Sequence, residues 1–239
     1  MTELTDAQGE AHGHTHSDVS GGWLRAAVFG AMDGLVSNTA LVAGVGGGGA
    51  SSHVILLTGT AGLIAGAISM ALGEYTSVKT QNEQLDLEVA RERREMERNP
   101  EGEIAELAQM IRDRGVEDHL AQEVAEQLHR NRDAALRLHI VAEVGLSPED
   151  KPSPRTAAIS SLVTFSVGAI FPLLPYLFGL SLLWVALVCG GVGLVLAGAL
   201  SSRFTPRPWW YAGLRQLVFG AIAAGATYLI GLAIGVGAA

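Results

Sequence analysis

The chain has 239 residues, of which 49% are hydrophobic and 17% charged, and its net charge is −8. This composition is too apolar for a typical soluble domain, and the acidic balance argues against nucleic acid and favours cations as partners. The single cysteine, Cys189, excludes a disulfide framework and a cysteine-based metal site. The sequence has neither a nucleophile–base pair nor a phosphate-binding loop, so we do not expect an enzyme.

Residues 1–22 are polar and are predicted to form a flexible cytoplasmic tail, with a His-x-His-x-His pattern made by His12, His14 and His16. These imidazoles could capture a metal ion transiently, but a tail without fixed structure is the interpretation that we favour. The segment has no basic stretch followed by an apolar one, so no signal peptide is predicted.

Five apolar segments are long enough to cross a bilayer, which needs roughly 20 helical residues. The predicted spans are residues 23–45, 54–78, 156–178, 180–200 and 214–236. Their many Gly and Ala residues are typical of helices that pack closely in lipid. Pro172 and Pro175 predict a kink or a short turn near the end of the third span.

Lys and Arg residues lie on alternate sides of the predicted membrane. The connections at 46–53 and 175–181 have none, whereas the 79–155 segment has twelve and the 201–215 connection has three. Because basic residues favour the cytoplasmic side, the N-terminus and residues 79–153 are predicted to be cytoplasmic and the C-terminus to lie outside. A short tail without sorting signals favours a prokaryotic plasma membrane.

Residues 79–153, which we call the acidic region, separate the first two spans (residues 23–78) from the last three (residues 154–239). Eighteen of the 24 acidic residues of the chain lie between Glu83 and Asp150. The region is rich in helix formers and has breaks at Asn99–Pro100, Gly115 and Gly145. The fold class is therefore an all-α membrane protein with five transmembrane helices and a cytoplasmic three-helix domain, the first of these helices extending the second span.

A helical wheel suggests that the acidic region binds metal. If the helix continues through Pro100, six carboxylates share an arc of about 80°: Glu88, Glu92, Glu95, Glu103, Glu106 and Asp113. The arginines fall on other faces, so the acids are stacked without the usual pairing between residues four apart. Such a stripe favours a bound cation, and a solvated acidic face is the alternative that stays open.

His139 and Glu143 are four residues apart, so they share a face of the last helix of the acidic region. Imidazole and carboxylate together suit first-row divalent metals, which makes this pair a candidate for metal ligation. His119 and His129 lack such partners in the sequence, and we interpret them as structural.

Two acidic residues lie inside apolar segments. Asp33 is about ten residues into the first span, where a charged carboxylate costs at least about 2.5–3.5 kcal/mol and should face a polar pathway. Glu74 is near the cytoplasmic end of the second span, and Met70 lies four residues before it on the same face. Carboxylates and a thioether can together bind a transition metal, which predicts a transport path through Asp33, Met70 and Glu74. Packing in the core or against lipid is the alternative for Met70.

Two segments of the first two spans resemble the vacuolar iron transporter family. The first is Asp33-Gly34-Leu35-Val36-Ser37, and the second runs from Ser69-Met70-Ala71 through Gly73-Glu74-Tyr75 to Val78. The resemblance covers roughly residues 22–236, acidic insertion included. It implies a five-span dimer with a cytoplasmic metal-binding domain that moves Fe²⁺, and often Mn²⁺, out of the cytoplasm against protons.

The resemblance also implies residue roles. Asp33 and Met70 match transport-path residues, and five glutamates match those that hold metal in the insertion: Glu92, Glu95, Glu103, Glu106 and Glu143. His139 departs from the family, because the plant-type pattern has Met at this position. The ligand set is therefore expected to be harder, with a preference shifted towards Mn²⁺ or Zn²⁺.

Three functions remain as hypotheses. The leading one is a dimeric Fe²⁺/Mn²⁺–proton antiporter without a permanently bound cofactor, whose transported and domain-bound ions include Zn²⁺ or Co²⁺ as alternatives. The second is a membrane-anchored metal sensor or store without transport. The third, a transporter of organic cations, predicts an aromatic path, and the first two spans have few aromatic residues.

Overall fold

The computed structural model describes residues 22–145 and 147–237, and these residues form helices and connecting turns without a strand. Nine α-helices are present in this part of the chain: α1 Trp23–Gly47, α2 Ser52–Arg98, α3 Pro100–Arg112, α4 Asp118–His129, α5 Arg132–Val144, α6 Pro154–Ile170, α7 Leu174–Leu177, α8 Leu183–Ser201 and α9 Trp209–Gly237. His12, His14 and His16 lie outside the described residues.

Five helical segments are long and apolar enough to cross a membrane, which confirms the predicted number of spans. They are Trp23–Gly47, Ser52–Arg98, Pro154–Leu177, Leu183–Phe204 and Trp209–Gly235. The third combines α6, a 3-10 turn at Phe171–Leu173 and the short α7. Pro172 lies in that turn and Pro175 in α7, so the predicted interruption near the end of this span is confirmed.

Helix α1 is the centre of the apolar bundle and packs against α2, α6, α8 and α9. Its contact with α6 depends on glycine, because a Cβ at Gly34 would overlap the backbone of Phe165. The reverse holds at Gly168 of α6, where a Cβ would overlap the carbonyl of Ala31. The two backbones therefore approach as closely as small residues allow, which is how helices associate in lipid.

Helix α2 is 47 residues long, or about 70 Å at 1.5 Å per residue, which is more than twice the apolar thickness of a bilayer. Its C-terminal half therefore extends beyond the bundle, as predicted. There it packs against α5 through a small apolar core of Leu85, Met96, Ala135, Leu136 and Ile140. A second core of Leu107, Ala108 and Ala125 joins α3 to α4.

The predicted break at Asn99–Pro100 is present, so the continuous helix that the helical wheel assumed does not form. Helix α2 ends at Arg98, and the Asn99 side chain accepts a hydrogen bond from the Gly102 N–H at the start of α3. Pro100 has no N–H to continue the α2 ladder, and its ring favours the first position of a new helix. The predicted cap at Asn99 is thus confirmed. Because the helix breaks here, the six carboxylates do not form one stripe along a single helix.

The last predicted helix of the acidic region is also two helices. Gly115, with φ +95°, follows α3, and Gly145, with φ +75°, ends α5, so both predicted stops are confirmed. A further break at Arg130–Asn131 was not predicted. Asn131 caps α5 by accepting a hydrogen bond from the Ala134 N–H, which is a common role for asparagine at a helix start.

Candidate metal centre and membrane pocket

Three helices of the acidic region bring two carboxylates and one imidazole together. Glu92 of α2, Glu103 of α3 and His139 of α5 place ligand atoms within 4.8 Å of one another. The Nδ1 atom of His139 lies 3.1 Å from Glu92 Oε1 and 3.8 Å from Glu103 Oε2. All three side chains are buried, and His139 is fully shielded from solvent. We call this group the inner cluster.

The inner cluster leaves its polar atoms unsatisfied. Within residues 22–145 and 147–237, Glu92 Oε1, Glu103 Oε2 and both ring nitrogens of His139 are buried without a hydrogen-bond partner. Each such atom costs about 1–3 kcal/mol, and native proteins contain few of them. Several converging on one point form a site that a cation would satisfy, because carboxylate oxygens and an imidazole nitrogen are metal ligands.

Burial sets the protonation of the inner cluster in the metal-free protein. It raises the pKa of Glu92 to about 8, and the nearby carboxylates of Glu103, Glu143 and Glu95 act in the same direction. Burial also raises the pKa of Glu103. It lowers the pKa of His139, with His129 as a second cause. Near neutral pH the cluster therefore holds a proton on its carboxylates, while the imidazole is neutral and able to bind metal.

The other three predicted ligands lie on the exposed side of this cluster. Glu95 is half-exposed and accepts a hydrogen bond from Arg91 Nε at 3.2 Å. Glu143 and Glu106 are exposed. The pKa of Glu143 is raised by burial and then by the carboxylates of Glu106, Glu103 and Glu95, so these groups are electrostatic neighbours. The structure thus brings all six predicted ligands into one part of the domain, three inside and three at its surface.

The expectation that the acids are unpaired needs correction. Arg91 lies within 3.2 Å of Glu95 and 3.9 Å of Glu88, so it partly neutralises two members of the predicted stripe. Asp113 accepts a hydrogen bond from Gln109 and ends α3. On the helical wheel Arg91 lies outside the arc of the acids. It still reaches Glu88 and Glu95, because residues three and four apart are neighbours on a helix surface.

Residue His129 was interpreted as structural from the sequence, yet it lies beside the inner cluster. Its ring centroid is 5.5 Å from that of His139, with the two planes at 89°. No sequence spacing points to this contact, because His129 ends α4 and His139 lies in the middle of α5. Only the turn at Arg130–Asn131 brings the two rings together.

A separate cavity of about 300 Å³, open at the surface of the apolar bundle, lies between α1, α2 and α6. Asp33 and Met70, predicted for the transport path, both line it. Its other lining residues are Ser37, Asn38, Leu41, Gly62, Gly66, Ser69 and Phe165. The wall therefore offers a carboxylate, a thioether and hydroxyl and amide oxygens. Asp33 itself is exposed on the surface of the single chain.

Residue Glu74, the third predicted path residue, is not among the residues that line this cavity. It is buried, and its Oε2 accepts a hydrogen bond from Nη2 of Arg25 in α1 at 2.8 Å. Arg25 therefore neutralises a carboxylate that would otherwise be buried without a charged partner.

Comparison with known proteins decides the family. A family model described as the VIT family matches residues 24–232. The chain belongs to this family. It is 34% identical to Vacuolar iron transporter 1 of Oryza sativa subsp. japonica over 228 residues, 91% of this chain and 89% of that protein. It is 35% identical to Vacuolar iron transporter of Centaurea cyanus over 221 residues, 89% and 88% of the two chains.

A third VIT-family relative, Vacuolar iron transporter of Acanthamoeba castellanii, is 37% identical over 201 residues, 78% of this chain and 73% of that protein. The resemblance read from the two motifs is thereby confirmed. With five apolar helices, this VIT-family chain is a multi-pass integral membrane protein.

Proposed function

We propose that this protein transports divalent metal ions, Fe²⁺ and also Mn²⁺, out of the cytoplasm in exchange for protons. The relatives that it matches are named for iron transport. The observation that carries the proposal is the cavity of the apolar bundle that Asp33 and Met70 both line. An acidic residue within a membrane-spanning segment is expensive and usually marks an ion or proton pathway.

The acidic region would collect metal on the cytoplasmic side. The alternation of basic residues supports a cytoplasmic position for it and for the N-terminus. The inner cluster supports metal binding there, because its unsatisfied ligand atoms are already close together. Glu95, Glu106 and Glu143 would add an outer, exposed set of carboxylates through which ions reach it.

Proton exchange is supported by the same chemistry. Carboxylates must lose their protons to bind metal, so metal and proton compete for one site. Because the pKa of Glu92 is about 8, metal and proton would compete for this carboxylate near physiological pH. We propose that Asp33 plays the corresponding part in the membrane, with Met70 as a soft ligand and Glu74 at the cytoplasmic mouth.

We further propose that the working unit is a homodimer. Asp33, Ser37 and Ser69 border the cavity and are all exposed in the single chain, although they lie in two helices, α1 and α2, that are apolar enough to span a membrane. Polar groups facing lipid are costly. A second copy of the chain covering this face would enclose them in a path at or near the interface.

A membrane-anchored metal sensor or store is the second candidate, because the inner cluster alone would serve it. Flux distinguishes the two. Purified protein in liposomes that contain a metal indicator and a pH indicator should show internal metal rising with Fe²⁺ or Mn²⁺ outside, together with proton movement the other way. Repeating the uptake measurement with Zn²⁺ or Co²⁺ as a competing ion ranks the metal preference of the transporter.

Two domain variants make this experiment sharper. Glu103→Gln should slow uptake at low metal concentration, because the collecting site loses a buried ligand. Glu97→Gln is the control, because Glu97 is exposed and lies in the part of α2 that belongs to the acidic region. This variant should transport like the unaltered protein. Metal binding without any flux in the unaltered protein would refute transport and favour the store.

A further inference from the structure

The tautomer of His129 is fixed by its neighbour. Its Nδ1 atom lies 3.2 Å from the backbone carbonyl of Ala125, one turn earlier in α4. A carbonyl oxygen only accepts hydrogen bonds, so Nδ1 carries the proton and Nε2 carries the free lone pair. In the part of the chain that the structure describes, this Nε2 atom is buried and has no hydrogen-bond partner.

This arrangement is typical of metal-binding histidines. Such residues almost always donate their second ring N–H to a carboxylate or a backbone carbonyl, which fixes the ring and presents the other nitrogen to the ion. A histidine that only fills a core has no reason to leave Nε2 shielded from both water and protein. The free lone pair therefore indicates an absent partner of cationic character.

The ring of His129 lies next to the inner cluster, although its nitrogen is not among the ligand atoms that all lie within 4.8 Å of one another. A metal–nitrogen distance of about 2 Å places two imidazole centroids on one tetrahedral ion about 5 Å apart. The observed separation between His129 and His139 is 5.5 Å.

We propose that His129 is a fourth protein ligand of the metal held by the inner cluster. Helices α2, α3, α4 and α5 would then contribute one group each: Glu92, Glu103, His129 and His139. This inference rests on the proposed function, which requires that the acidic region binds metal. It goes further by naming the four side chains that would hold the ion. Two imidazoles and two carboxylates suit four-coordinate ions such as Zn²⁺ and Co²⁺, and also Fe²⁺, over harder Mn²⁺.

Cobalt is the probe, because its visible absorption reports coordination number and ligand type. Full-length protein in detergent is titrated with Co²⁺ as the unaltered chain, as His129→Gln and as His119→Gln. His119 is the matched control, since it lies in the same helix with a side chain that is 78% exposed. The unaltered protein and His119→Gln should show the intense bands of a four-coordinate site, whereas His129→Gln should lose them and bind at least about tenfold more weakly.

A second variant keeps the proposal testable if His129→Gln disturbs folding. In His129→Cys a thiolate would replace the imidazole, and a sulfur-to-cobalt charge-transfer band should appear on Co²⁺ addition. Unchanged affinity and bands in His129→Gln, or no such band in a folded His129→Cys protein, overturn the proposal and leave the contact with His139 as packing. If the unaltered protein binds no Co²⁺, the metal-binding part of the proposed function fails as well.

Discussion

Metal binding by the acidic region should depend steeply on pH between 6 and 8. The cause is Glu92, whose pKa in the metal-free protein is about 8, raised first by burial and then by Glu103. Below that pH an ion must displace the proton. Because Glu92 and Glu103 interact, this proton belongs to the carboxylate pair and not to one residue. Burial lowers the pKa of His139 and so favours its neutral form, which makes the imidazole a smaller source of released protons than the carboxylate pair.

The magnitude follows from competition at one group. With a pKa of about 8, the apparent affinity should rise about tenfold for each pH unit up to pH 8 and then level off. Between pH 6 and pH 8 the gain is therefore about fiftyfold, because half of the sites are already deprotonated at pH 8. At pH 7 roughly one proton should be released for each ion bound.

Isothermal titration with Zn²⁺ in two buffers of different ionisation enthalpy measures both quantities. Glu92→Gln should bind more weakly and lose most of the pH dependence, because the titrating ligand is gone. Glu97→Gln, exposed and outside the cluster, should keep the dependence of the unaltered protein. An affinity that is flat from pH 6 to pH 8 in the unaltered protein would refute this assignment of the proton.

Two further predictions concern the membrane part. Gly34→Ile should abolish folded protein, because the side chain would overlap the backbone of Phe165. Gly73→Ala is the control, since a Cβ at Gly73 would have no atom of another helix of the described chain within 4 Å. Size-exclusion chromatography in detergent shows whether each variant is folded. Arg25→Gln should leave the buried carboxylate of Glu74 without its charged partner and lower stability by about 1–3 kcal/mol. Adding Glu74→Gln should recover most of that loss, and a double variant no more stable than Arg25→Gln in thermal unfolding would contradict the pairing.

Much of the fold is encoded in local patterns. Apolar length predicts five spans, and the signals at Asn99–Pro100, Gly115 and Gly145 mark ends of helices that the structure confirms. The helical wheel failed where it ignored one of those signals. Pro100 ends the ladder of α2, so the carboxylates reach one centre from two helices and not along one stripe.

The site itself was only partly predictable, because its geometry comes from helices that are distant in sequence. Glu92 and His139 are brought within 3.1 Å by the docking of α5 on α2, which no periodicity describes. The pair of Arg25 and Glu74 spans 49 positions. His129 was missed for the same reason, since its role depends on the unpredicted turn between α4 and α5.

Measuring the coupled metal and proton fluxes of the Asp33→Asn variant tests the central claim most directly. The protein is placed in liposomes with an opposing pH gradient, and internal Fe²⁺ and pH are recorded together. Asp33→Asn should stop both fluxes while Co²⁺ binding by the acidic region keeps the affinity of the unaltered protein, since the cavity and the inner cluster are separate. Fe²⁺ uptake by Asp33→Asn at the unaltered rate, with the same proton movement, would contradict the account.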